Sequence, residues 1–311
     1  MQSASRARRR SLTVEGYLSR WLLHIEKARR PKTYALYEAL IRNHVLAHIG
    51  SLQVASLQRH HIRFLLDTLS GAVGDRTCQL VHRVLRYAFG EAVEDGLLLR
   101  NPCARRDKPK YEPAPRRTLS PDEADRLLRA AKMTPYHSLF YVALVTGMRQ
   151  GEIFGLRWDC VDLESAYIYV RATLTRDKEN EAHLSPPKAS RQRRIDLGPT
   201  TVAILREYKA SQPSPSAWVF TDLHGAPLQK DAFVRGVFHR LLKAAQLPRI
   251  RFHDLRHTSA TLALASGLNV KVISERLGHA SAKMTLDVYT RALPTLQREA
   301  ADRMEDIIGR G

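Results

Sequence analysis

Apolar positions in the first hundred residues recur at helical spacing. Val14, Tyr17, Leu18, Trp21, Leu22 and Ile25 repeat every three or four residues, behind Ser11 and Thr13, either of which suits an N-cap. Pro31 ends that helix or begins the next. Tyr34, Tyr37, Ile41 and Val45 mark one face of a second helix over Lys32–His48, punctuated by Gly50. Gln58–Leu69 reads as a third helix, broken by Gly71 and Gly74. Thr77–Asp95 reads as a fourth, built on Leu80, Val84, Leu85 and Ala88 and closed by Gly96. Four helices with short connections predict a small bundle over residues 11–98, after a basic, disordered tail at 1–10.

The pattern stops at residues 99–117, LRNPCARRDKPKYEPAPRR, where four prolines and seven Lys or Arg exclude a helix or central strand. This stretch reads as a semi-extended, basic linker. Beyond it the pattern resets. Ser120 caps a helix with Pro121 at its first position, and Ser120 with Glu123 fits a capping box. Leu139–Thr146 is an apolar helix interrupted by Gly147. In the following GMRQGEIFGLRWDCVDL, Ile153, Leu156 and Val161 suit a core and Arg149 stands at the head of a helix. Tyr167–Leu174 and Arg193–Leu197 read as strands around a polar connection, and Trp218–Thr221 is short and strand-like. Thr200–Ala210 and Asp231–Ala245 read as helices. The expected fold is mainly α with a small antiparallel sheet, an α+β second domain spanning 118–311. The length of 311 residues agrees with about two domains at roughly 150 residues each.

Charge narrows the function classes. A formal net charge of +19 favours a polyanionic partner, because each cation placed on a phosphate releases a counterion. Residues 1–117 hold 22 Lys and Arg against 10 acids, and residues 118–311 hold 28 against 21, so the first part is more basic per residue. On the predicted bundle and linker, Arg42, Arg59, Arg63, Arg76, Arg83, Arg86, Arg105 and Arg106 are the candidates for phosphate contacts. Cys78, Cys103 and Cys160 have no paired spacing and support neither a disulfide framework nor a zinc site. No apolar run reaches the roughly 18–20 residues of a membrane span, and the Arg-rich start lacks the apolar stretch of a signal peptide. A cytoplasmic, nucleoid-associated protein is expected.

The candidate chemistry lies in the second half. Arg149, in TGMRQGE, can fork two phosphate oxygens, with Glu152 one turn on to hold it; a surface salt bridge is the plainer alternative. Lys188, in PPKASRQRRIDL, sits on a connection from which an ammonium can protonate a leaving oxygen, and Lys178 competes for that role. His253 and Arg256 are spaced to share a face at the start of a helix, followed by small apolar residues that suit a buried support. His253 and His257 have the spacing of a zinc pair, but Asp254 stands where that motif needs Glu and no third ligand is near. Gly278 reads as a helix C-cap from which His279 projects, and Tyr289 follows ten residues later.

The blocks TGMRQGEIFGL, HDLRHTSAT and LGHAS…T…Y resemble, in type and order, those of the tyrosine recombinases, the phage integrase family. The resemblance to the catalytic part covers about residues 118–300, and residues 11–95 resemble the family's core-binding, SAM-like domain. Many phage integrases carry a further arm-site DNA-binding domain. Here only residues 1–10 precede the core-binding part, so that domain is expected to be absent or the start truncated.

The resemblance implies a two-domain clamp on double-stranded DNA and a site-specific recombinase acting as a homotetramer on paired sites. Tyr289 would attack a phosphate to form a 3′-phosphotyrosyl link. Arg149 and Arg256 would hold the non-bridging oxygens, His279 would add a hydrogen bond, His253 would act as base and Lys188 would protonate the 5′ oxygen. Neither ATP, metal nor another cofactor is implied. Accessory DNA-bending or excision factors are the further partners it allows, and a C-terminal tail helix with Leu296, Ala300, Met304 and Ile307 at helical spacing would dock on a neighbouring protomer or its own domain. The rival readings are a type IB topoisomerase, which relaxes DNA as a monomer, and a DNA-binding protein with an inactive site.

Overall fold

The computed structural model describes residues 12–112, 117–176, 181–186, 192–212, 215–278, 304, 305 and 308. The chain divides into two compact units, Met1–Ala114 and Pro115–Gly311. It is mainly helical with two small antiparallel sheets, the α+β fold expected. Among the described residues no helix is long and apolar enough to cross a membrane.

In the first unit, α1 spans Val14–Ala28, with the Thr13 hydroxyl accepting from the Gly16 amide at 3.1 Å. Its six periodic apolar residues are all buried. Pro31 opens α2, Pro31–His44, which stops earlier than its periodicity suggests; a separate turn, Leu46–Ile49, completes the segment. α3 is Arg59–Ser70 and α4 is Asp75–Glu94. Trp21 stacks on Tyr37 at 5.8 Å, meets Tyr87 edge-on at 5.5 Å and donates to Glu91 at 2.7 Å, tying α1 to α2 and α4.

The stretch expected as a semi-extended linker, residues 99–117, begins inside this unit. Cys103 is buried in its core, as is Leu98 just before the stretch. Asn101 fastens the turn by accepting from the Cys103 amide at 2.9 Å and donating to the Arg86 carbonyl at 2.8 Å. Asp107 then receives both prongs of Arg59 at 2.6 Å.

In the second unit, Ser120 and Glu123 form a reciprocal capping box, 3.0 and 3.1 Å, at the start of α5, Pro121–Ala131. α6, His137–Thr146, is apolar on nearly all sides and is buried accordingly. Gly147 ends it at φ +60°. α7, Gln150–Phe154, follows at once.

Strands β1 (Val161–Asp162), β2 (Tyr167–Val170) and β5 (Arg193–Asp196) form one sheet in the order β1-β2-β5. β3 (Thr173–Arg176) and β4 (Ala182–Ser185) form the second. The single strand expected over Tyr167–Leu174 is thus two, and β4 lies where a polar loop was expected. The cause is packing of β3 on α7. A Cβ on Gly151 would lie 2.6 Å from Thr173 Cγ2, and one on Gly155 2.7 Å from the Leu174 amide nitrogen. Only a helix face without side chains admits the strand so closely.

α8 is Pro199–Ser211. Trp218–Thr221, expected as a strand, makes only isolated bridges, Arg157 with Trp218 and Thr221 with Pro227. α9 runs over residues 230–244 with a π-helical stretch, Val234–Phe238, in its middle. α10 is Asp254–Ala265 and α11 is Val270–Leu277. Phe140 of α6, Phe154 of α7, Phe233 and Phe238 of α9 and Phe252 make a cluster of rings 5.2–6.2 Å apart. Each buried ring contributes about 1.5–3 kcal/mol, and together they fix α7 and the residue preceding His253 against α6.

Candidate active site

Arg149 is the N-cap of α7. Its amide donates to Glu152 Oε2 at 2.8 Å, and its Nη1 donates to Glu152 Oε1 at 2.9 Å. Its Nη2 donates to the Gly278 carbonyl at 2.9 Å. The side chain keeps 24% of its surface exposed, whereas that of Glu152 is fully buried. Glu152 is also forked by Arg193 of β5, Nη1 to Oε1 at 3.1 Å and Nη2 to Oε2 at 2.7 Å. Burial pushes the Glu152 carboxyl up, but the hydrogen bonds and charge of Arg193, with those of Arg149, more than offset it and hold the group below its ordinary range.

Arg256, buried on the first turn of α10, donates through Nη1 to the Gly147 carbonyl at 2.7 Å and through Nη2 to the Leu277 carbonyl at 2.6 Å. No carboxylate is bonded to it among the described residues. Burial, then the nearby Arg149 charge, pushes its guanidinium down to about 9. Three arginines and one glutamate thus share a poorly solvated cluster, an excess of two positive charges that an anion would relieve. Each terminal nitrogen of a guanidinium carries two hydrogens, so Arg149 and Arg256 retain donors beyond those committed to carbonyls.

The supports are local. Gly278 is the C-cap of α11 at φ +65°, and a Cβ there would stand 3.0 Å from Arg193. Thr258 Oγ1 donates to the Asp254 carbonyl at 2.9 Å and accepts the Leu119 amide at 3.0 Å, anchoring α10 to the start of the unit. Arg251 holds the buried Asp254 carboxylate through its amide, Nε and Nη2 at 2.8–3.1 Å. His253 is exposed at the N-cap of α10, with its ring 5.0 Å from that of the buried His257. Among the described residues no group of three His, Cys, Asp or Glu is placed to hold a metal ion.

Of the residues singled out by sequence, Arg149, Glu152 and Arg256 are brought into one cluster, and His253 opens the helix that carries Arg256. Lys188, its competitor Lys178, His279 and Tyr289 lie outside the described residues. So does the tail apart from Met304, Glu305 and Ile308. Sequence reasoning missed Arg193. The available signal was strand alternation, since Arg193 shares the inward face of β5 with Ile195.

The surface arginines of the first unit divide. Arg59 is committed to Asp107, and Arg86 donates to the Cys103 carbonyl. Arg42 pairs with Glu38 at 3.1 Å, and Arg76 bonds Gln79 at 3.0 Å and lies over Tyr111. Arg63, Arg83, Arg105 and Arg106 are exposed. A second basic face, not anticipated, lies on and after α9. Arg235, Lys243 and Arg249 are exposed there around His239, and none is paired with an acid among the described residues. Burial, then Arg249, holds His239 below its ordinary range.

A buried arginine cluster with a net positive charge is suited to an anionic group such as a phosphate. The phage integrase family model matches residues 117–295, and that of the phage integrase N-terminal SAM-like domain matches residues 13–70. The chain belongs to the phage integrase family, the tyrosine recombinases, and is a site-specific recombinase.

It is 24% identical over 328 residues to a XerC-like tyrosine recombinase of Caldanaerobacter subterraneus subsp. tengcongensis, covering 95% of this chain and 83% of that one. It is 26% identical over 320 residues to the ICEBs1 integrase of Bacillus subtilis, covering 97% and 86%. Its fold is similar to that of the Tn1549 transposon integrase in complex with a circular intermediate DNA, with a TM-score of 0.83 at 22% identity over 94% of this chain and 100% of that one. It is also similar to a lambda integrase tetramer bound to a Holliday junction, with a TM-score of 0.70 at 22% identity over 89% and 77%.

Proposed function

We propose that the chain cuts and rejoins double-stranded DNA at specific sites through a 3′-phosphotyrosyl intermediate on Tyr289, without ATP or metal. The observation that carries this reading is the pair Arg149 and Arg256, pinned to the carbonyls of Gly278, Leu277 and Gly147 within a cluster of three arginines and one glutamate that keeps a net positive charge. Preorganised donors of this kind stabilise charge as it develops in a transition state.

In the proposed step the Tyr289 oxygen attacks phosphorus and gives its proton to His253. The bond to the 5′ oxygen breaks, and Lys188 protonates that oxygen. Arg149 and Arg256 hold the two non-bridging oxygens, and His279 donates to one of them. Rejoining is the same step reversed with a different 5′ hydroxyl. One phosphodiester replaces another, so no external energy source enters the balance.

Recombination exchanges strands between two duplexes, each cut on both strands, which calls for four protomers on paired sites; the lambda integrase tetramer on a Holliday junction supports this. Arg63, Arg83, Arg105 and Arg106 of the first unit, and Arg235, Lys243 and Arg249 of the second, are the proposed phosphate contacts. Accessory bending or excision factors and a tail docked on a neighbouring protomer complete the proposal.

The test is a trap on fragments nicked near candidate scissile bonds, run in excess EDTA and without nucleotide. Covalent protein on the 3′ end with a free 5′ hydroxyl is expected. Activity lost to EDTA would sink the reading, and relaxation of supercoils by an isolated monomer without pairing of sites would redirect it to type IB chemistry.

A further inference from the structure

Arg193 bonds to the site's framework at two places, the Glu152 carboxylate and the Arg276 carbonyl. It stands at the first position of β5, paired across the sheet with Val170, on the inward face beside Ile195. Its guanidinium bonds in two directions. Nη1 and Nη2 take both oxygens of Glu152, and Nε donates to the Arg276 carbonyl at 2.8 Å. It also packs against Gly278, where a Cβ would meet its Cδ and Nη1 at 3.0 Å. Glu152 passes the connection to both the amide and the side chain of Arg149, and Arg149 returns to the Gly278 carbonyl. The ring Arg193–Glu152–Arg149–Gly278 therefore joins β5, α7 and the turn after α11. Lys188 precedes β5 in the chain, and His279 follows Gly278 directly.

We propose that Arg193 is a positioning residue for strand transfer, acting by neutralising Glu152 so that Arg149 is held in place without giving up its charge. The inference rests on the function proposed above. The charge balance is the physical reason. Without Arg193, the fully buried Glu152 would have Arg149 as its partner, and that guanidinium would then be spent on a carboxylate instead of a phosphate. With Arg193 and Glu152 cancelling, Arg149 and Arg256 supply two positive charges. The phosphodiester brings one negative charge, and attack by a phenolate adds a second in the transition state.

Lysine cannot replace the fork. Its ammonium is a compact charge without the planar pair of donors that meets both Glu152 oxygens while a third donor reaches Arg276. Arg193 touches no reacting atom in this account; it acts through Glu152, Arg149 and Gly278.

The experiment uses the full chain and a nicked suicide duplex at saturating protein, and reads the single-turnover rate of covalent adduct and the DNA Kd separately. Arg193→Lys is expected to slow adduct formation by on the order of 10²-fold, the effect of displacing a charge-stabilising donor, with Kd moved less than about threefold. Arg193→Met is expected to shift the acid limb of the rate profile to higher pH, because Glu152 then lacks its main counter-charge.

Should Arg193→Met fail to fold, the pair Glu152→Gln with Arg193→Met removes the buried charge and is expected to regain thermal stability while its adduct rate stays at least about tenfold low. Wild-type rate in Arg193→Lys, or in the folded double variant, overturns the inference. Parent protein that forms no adduct, or adduct that persists in Tyr289→Phe, overturns the underlying function instead.

Discussion

Arg256 Nη2 donates to the Leu277 carbonyl at 2.6 Å, so the first turn of α10 holds the last residue of α11. The same guanidinium reaches the Gly147 carbonyl at 2.7 Å, at the left-handed turn that leads into Arg149. One buried side chain therefore fixes the backbone on either side of the cluster. In the proposed mechanism it does so while offering its remaining donors to phosphate.

Gly147 is the weak point of that lock. Its φ is +60°, and a Cβ would lie 2.4 Å from Leu277 Cδ2 and 3.0 Å from Ser259 Oγ. Gly147→Ala is expected to cost about 2–4 kcal/mol, combining left-handed strain with overpacking. Urea denaturation measures the stability, and the single-turnover adduct rate should fall further than the folded fraction does. A substitution that leaves both untouched would show that the Gly147 turn does not hold Arg256.

Glu152 gives a pH dependence of fixed sign. Its folded pKa lies below the ordinary 4.5. A depressed carboxyl pKa contributes stability that is fully present above the unfolded value and is lost as pH falls through the folded one. The stability difference between the parent and Glu152→Gln should be flat from pH 7 to about pH 5 and narrow below about pH 4.5. A difference that instead narrowed on the alkaline side would reverse the assignment.

The division among surface arginines predicts two phenotypes. Arg59 is tied to Asp107, whose carboxyl is lowered chiefly by that hydrogen bond. Arg59→Ala should lower Tm and leave the salt dependence of DNA binding nearly intact. Arg63→Ala or Arg83→Ala should leave Tm unchanged and reduce the slope of log K against log salt by about 0.9 each. The triple change Arg235→Ala, Lys243→Ala, Arg249→Ala should reduce it by about 2–3. Filter binding across a salt series reads all of these, and an unchanged slope removes the residue concerned from the interface.

Much of this was legible in the sequence because it is local. The face of α1, the Ser120–Glu123 box and the Gly278 cap each depend on neighbours within a turn. The association of Arg149 with Glu152 is visible for the same reason. What escaped depends on distant partners. Whether Arg59 and Arg86 face water is decided by Asp107 and Cys103, residues that fold back from the expected linker. The break between β2 and β3 is set by Gly151 of α7 and Gly155, its C-cap, and Arg193 acquires its meaning only when β5, α7 and α11 meet. The π-helical stretch of α9 leaves no signal in periodicity, since it adds a residue to a turn without changing which side chains are apolar.

The central claim is that Tyr289 becomes covalently joined to DNA. Protein trapped on a nicked suicide duplex, digested and mapped by mass spectrometry, should carry its nucleotide remnant on the peptide containing Tyr289, and Tyr289→Phe should yield no adduct. A remnant on any other residue, or adduct formed by the phenylalanine variant, would contradict it.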